Sequence, residues 1–151
     1  MSWFPVVLIL HVCLAVALLA PSLLLPFLLR REDASKTVRN PLTRALMAMQ
    51  GTGTLVIGIG LAITGTLLIV LLGIDTLSQP WLLVALVIYA ANLLVAGLVS
   101  RPNLRRLLRL GSGPSDDEAW RRRARRQRWV AYGMAAATGV IGFLMMAKPG
   151  Q

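Results

Sequence analysis

Four long uncharged apolar runs alternate with short polar segments along this chain, and two of those segments are dense in arginine. A helix that crosses a bilayer needs about 20 predominantly apolar residues. The pattern therefore predicts spanning helices over about 4–29, 45–72, 81–99 and 129–147. Pro5 suits a helix start, whereas Pro21 and Pro26 fall inside the first span and predict a bend in its last third. The second helix is expected to begin at Leu42 or Ala45, after the Asn40-Pro41 turn signal. Arg101 and Pro102 are expected to end the third. Asn103 to Leu110 then segregates apolar from basic residues and reads as an amphipathic turn or two on the membrane surface.

The fourth span differs because a polar helix is expected to run straight into it. After the flexible joint GSGPS, Ser115 and Glu118 make a capping box, with Asp116 and Asp117 in the first turn. Asp117–Arg121 and Glu118–Arg122 are pairs four apart in the favourable order. The fold class is all-α, an up-down-up-down four-helix membrane bundle in one domain over 1–151, with a cytoplasmic extension of the fourth helix.

Small residues suggest how the helices approach one another. Thr54, Gly58, Ala62 and Thr66 recur four apart, with Gly53, Gly60 and Thr64 beside them, the small-xxx-small pattern of closely packed membrane helices. The second helix is thereby expected to be the packing centre. A similar row on the fourth is Gly133 and Ala137, flanked by Ala135, Gly139 and Gly142.

With 56% hydrophobic and only 15% charged residues, the chain has too little polar surface for a soluble domain of 151 residues. Its formal charge of +10 reads as positive-inside bias. Fifteen of the sixteen Lys and Arg fall in 30–44 and 100–128, and only Lys148 lies elsewhere. Both segments are expected in the cytoplasm and both termini outside, in a bacterial inner membrane. The loop Gly73–Pro80 carries Asp75 and no base, with Trp81 after it as an interfacial anchor. Arg105, Arg106, Arg109, Arg121, Arg122, Arg123, Arg125, Arg126 and Arg128 are expected to meet anionic lipid. No nucleic-acid module accompanies them.

His11 is the single histidine and lies within the first span. By depth, Thr64, Tyr89 and Thr138 fall at its level, and the four form a candidate polar layer or ligand site. Neutral imidazole could ligate haem iron or copper, so His11 is the metal candidate; the bland alternative is a hydrogen bond gluing two helices. Cys13, two residues on, points to another face. Met47, Met49, Met134, Met145 and Met146 read as packing or lipid-facing side chains. Asn92 is expected to bond across to the second helix or to a carbonyl freed by proline. With no phosphate loop, zinc-ligand spacing, nucleophile elbow or intramembrane Asp, Glu, Lys or Arg, an enzyme acting alone is disfavoured.

LILHVCLAVALL, PWLLVALVIYAANLL, SRPNLRRLLRL and WRRRARRQRWVAYGMAAATGVIGFLMMAKP together resemble the bacterial predicted integral membrane proteins catalogued as domain of unknown function 2269. The resemblance covers nearly the whole chain and implies a fold without an established activity. More distantly, a first-span His in four helices is similar to copper-resistance-D-like proteins and J-type protoporphyrinogen oxidases. The latter implicate a first-helix His and a third-helix Lys with haem; His11 matches the first, and the third span here has no Lys. The expectation is a structural or accessory subunit of the membrane, in a homo-oligomer or larger complex. A haem- or copper-binding protein using His11 is the alternative, and a permease component a further one.

Overall fold

The computed structural model describes residues 3–30, 34–73, 75, 78–112 and 117–147. Four helices in it are long and apolar enough to cross a membrane: α1 (Phe4–Leu28), α3 (Pro41–Leu72), α4 (Pro80–Ser112) and α5 (Asp117–Ala147). A short helix, α2 (Ala34–Arg39), lies between the first two. The result is an all-α, up-down-up-down membrane bundle. Ser115, Asp116, Arg31, Glu32, Asp33 and Lys148 lie outside the described residues.

Local chemistry explains the ends. Asn40 caps α3 by accepting a hydrogen bond from the Leu42 N–H at 3.0 Å, and Pro41 occupies the first helical position, where a missing N–H costs nothing. At the other end of α3, Gly73 takes φ +106°, a conformation that side chains with a Cβ rarely adopt. α1 runs unbroken through Pro21 and Pro26, both buried against the bundle. In the first turn of α5, Glu118 accepts from Arg122 at 3.1 Å.

Two expectations about α4 fail together. The helix does not stop at Arg101-Pro102; it continues to Ser112. Proline inside a helix removes a hydrogen bond and its ring collides with the carbonyl four residues back. Here the turn before it, Ala96–Ser100, widens to π-helical geometry and absorbs the misfit. Nor is the apolar side of the amphipathic stretch free to rest on a membrane. Its apolar side, Leu104 and Leu107, packs inward with Leu25, Leu29, Val38, Leu46, Met47, Trp120 and Ala124 as one core, while Arg105, Arg106 and Arg109 face out.

No single helix is the packing centre: α1 packs along both α3 and α5, α4 packs along α5, and α3 and α4 meet chiefly around Gly58 and two widened turns. The four-apart row explains the error. At 3.6 residues per turn each step of four rotates about 40°, so Thr54 and Gly58 are buried but Ala62 and Thr66 have turned outward. On α5, Ala137 is half-buried, while Gly133, Gly139 and Gly142 have open space where a Cβ would stand. Trp81, expected as an interfacial anchor, is buried within the bundle, and its indole N–H has no partner among the described residues.

Candidate functional site

Polar groups within the spans fall into separate pairs. On α1, His11 Nδ1 lies 2.8 Å from Thr64 Oγ1 on α3. Thr64 is also 3.0 Å from the Gly60 carbonyl and 3.1 Å from that of Leu61. If its one hydrogen goes to either carbonyl, the hydroxyl oxygen accepts from the imidazole Nδ1–H and Nε2 keeps its lone pair. The neighbouring Gly65 leaves room for this approach, since a Cβ there would stand in tight contact, 3.3 Å from His11 Cε1. On α4, the Tyr89 hydroxyl donates to the Gly58 carbonyl of α3. A Cβ on Gly58 would come within 2.5 Å of Leu93 Cδ2, so a larger residue at that crossing requires the Leu93 side chain to move.

Thr138 belongs to a third pair. It accepts from Asn92 Nδ2 at 3.2 Å and donates to the Met134 carbonyl at 2.9 Å. Asn92 therefore reaches α5, not α3. The structure joins His11 to Thr64 but ties Tyr89 and Thr138 to other partners. Cys13 is exposed, away from the His11 bond. Among the described residues no group of three His, Cys, Asp or Glu could hold a metal ion, and Met145 and Met146 are exposed on α5. His11 offers one ligand, and the described residues do not build a metal centre around it.

A polar cluster that sequence reading missed lies at the arginine-rich end. Gln127 is fully buried, donates from Nε2 to Ser100 Oγ at 2.7 Å and accepts at Oε1 from Asn103 Nδ2 at 3.0 Å. Asn103 Nδ2 also lies 3.3 Å from the Arg123 carbonyl. These bonds tie α4 to α5 just after the widened turn at Ala96–Ser100. A second π-helical turn, Met49–Gly53 in α3, packs against that one. It is fastened by the Thr54 hydroxyl, which lies 2.9 Å from the Gln50 carbonyl and 3.2 Å from that of Met49. The Gln50 side chain itself is completely buried, and neither amide atom has a partner among the described residues. Asn103 Oδ1 and Arg101 Nε are also buried without partners among the described residues. An unsatisfied buried polar group costs about 1–3 kcal/mol, so such atoms call for bound water or another polar species.

One signal for this cluster was present in the sequence. Within RRRARRQR the only residues that are not arginine are Ala124 and Gln127. They continue the stripe from Trp120 to Ala131 at steps of four, three and four, the helical face that packs inward. The arginines between them point outward and line two grooves. One lies between the end of α1 and α5, and the other beside Ala119 and Arg123. Neither groove reaches Asn92.

No curated protein and no solved structure matches the sequence. A family profile does, over residues 5–149, and its description is "Predicted integral membrane protein (DUF2269)". With the apolar helices and nearly the full length matched, the chain belongs to that family of integral membrane proteins.

Proposed function

We propose that this protein is a structural or accessory subunit of the bacterial inner membrane, with both termini outside and its two basic segments in the cytoplasm. The observation that carries the reading is how its intramembrane polar groups are used. His11, Tyr89 and Asn92 each bond to a neighbouring helix, so they act as glue between helices. Fifteen of sixteen basic residues on the same two segments support the orientation. The exposed arginines of α4 and α5 would draw anionic lipid at about 1 kcal/mol each. The glycines of α5 that open outward support contact with a helix of another subunit or a second copy.

Extraction of native membranes in mild detergent, followed by cross-linking and native electrophoresis, tests this. The chain should migrate in an assembly larger than a monomer, with no visible absorbance band and no stoichiometric copper. A monomer carrying haem or copper that is lost in His11→Ala overturns the reading in favour of a cofactor protein. A reporter fusion that places Arg121–Arg128 in the periplasm overturns the orientation.

A further inference from the structure

The groove between the end of α1 and the start of α5 encloses about 330 Å³, within the lower range of small-ligand sites. Arg30 stands on one wall, and Arg121, Arg125 and Arg128 on the other. The one acid on its rim among the described residues, Glu118, is engaged by Arg122 at 3.1 Å. Among the described residues no carboxylate pairs with the remaining four guanidinium groups. Arg121 and Arg125 are four apart on one helix, and Arg125 and Arg128 three apart, spacings at which like charges destabilise a helix. That repulsion is relieved if an anion sits between them.

The floor says which kind of anion. Leu29 and Trp120 line the groove, are almost wholly buried and belong to the core beneath. At its edge the Arg30 guanidinium lies 5.7 Å from the centre of the Phe27 ring, itself largely exposed on the apolar surface of α1. The cationic cup thus opens where lipid-facing surface begins. Leu23, Leu24 and Phe27 continue that surface along α1. The second groove, lined by Glu118, Ala119, Arg122, Arg123 and Arg126, has charge without such a floor. Guanidinium forks match phosphate oxygens in paired hydrogen bonds.

We infer that this groove is a discrete binding site for the phosphate of an anionic phospholipid, whose acyl chains lie along the exposed face of α1. The inference rests on the membrane-subunit reading and narrows its leaflet-wide attraction to one place. Native mass spectrometry of the full-length protein in micelles, titrated with phosphatidylglycerol or phosphatidylcholine, provides the test. Phosphatidylglycerol should be retained first, at one molecule per chain. Arg121→Ala with Arg125→Ala should weaken it by about tenfold or more. Arg105→Ala with Arg106→Ala removes the same charge from exposed positions outside both grooves and should change it by less than about twofold.

Equal weakening by the two double variants overturns the discrete site while leaving leaflet-wide attraction and the subunit reading intact. No preference for phosphatidylglycerol over phosphatidylcholine overturns the site and also removes anionic lipid from the subunit reading. Inorganic phosphate or glycerol phosphate binding as tightly as the lipid would assign the groove to a soluble phosphorylated compound and overturn the lipid assignment. All four arginines replaced are exposed, and unchanged circular dichroism melts confirm that each variant folds.

Discussion

At the arginine-rich end, Met47, Leu104, Leu107 and Trp120 are no more than 2% exposed and share one core. Along the apolar spans, Ile9, Val56, Val87 and Phe143 remain 65–69% exposed, and no more than 22% of the residues in any span's apolar window are buried inside the bundle. The difference follows the solvent. Where water reaches the chain, removing apolar surface from it is favourable by about 25 cal/mol per Å², and the helices close over Trp120 as a soluble domain would. In hydrocarbon, a leucine gains nothing by leaving lipid for protein, so the spans associate through close approach and hydrogen bonds. Gly58 beneath Leu93, Gly65 beneath His11 and the three cross-helix polar pairs are the means.

The sharpest way to break this comparison is to remove a large side chain from each region. Trp120→Ala should cost about 3–5 kcal/mol, because it leaves a cavity in a core that cannot collapse freely. Phe143→Ala, a comparable truncation on the lipid-facing side of α5, should stay within about 0.5 kcal/mol. Reversible unfolding in mixed micelles reads both. Similar losses at the two positions would mean that Phe143 is covered by another subunit, or that the Trp120 core is not a separate source of stability.

A change of opposite sign probes the polar part of that end. Gln50→Leu removes two buried amide atoms that have no partner among the described residues and keeps much of the side-chain volume. If the site is dry, the substitution should stabilise the protein by about 1–3 kcal/mol. A loss of stability would instead mean that the facing π-helical turns hold water or another polar molecule on Gln50. Solvent-exchange protection of the amides around Met49–Gly53 distinguishes the two outcomes.

Much of this architecture was legible because lipid imposes a coarse rule. The four apolar runs and the charged start of α5 could be read directly, since charge cannot enter hydrocarbon unpaired. The widened turns could not. Nothing about MQGTG or AGLVS distinguishes a π turn from an α turn by composition. Pro102 read locally as a stop, and the widened turn before it together with the packing of Leu104 and Leu107 into a core makes continuing the helix favourable. Small-residue rows misled for a geometric reason. Spacing of four names residues on a slowly rotating stripe, and the partner helix is straight enough to meet just part of it. For the polar layer, neither the offset between helices nor rotation about each axis was readable, since Gly58, which Tyr89 meets, lies six residues from Thr64, about 9 Å along α3. Thr64 therefore meets His11, while Tyr89 and Thr138 turn to Gly58 and Asn92.

The smallest effect bears on the spans alone. His11 and Thr64 contribute a single hydrogen bond between α1 and α3, and pairs of this kind in membrane bundles average about 0.6 kcal/mol. A double-mutant cycle with His11→Leu and Thr64→Val isolates it. Thr64→Val strands no helical carbonyl, because the Gly60 and Leu61 oxygens, 3.0 and 3.1 Å from the hydroxyl, keep their places in the α3 backbone ladder. The cycle should close with a coupling of about 0.6 kcal/mol and no more than about 1.7 kcal/mol. Zero coupling would mean that the seat of the His11 ring on Gly65 and the approach of Leu14 to Gly60 set the register of α1 without help from the bond. A coupling of several kcal/mol would place His11 in a more extensive buried network, and the spans would then share the polar construction of the arginine-rich end.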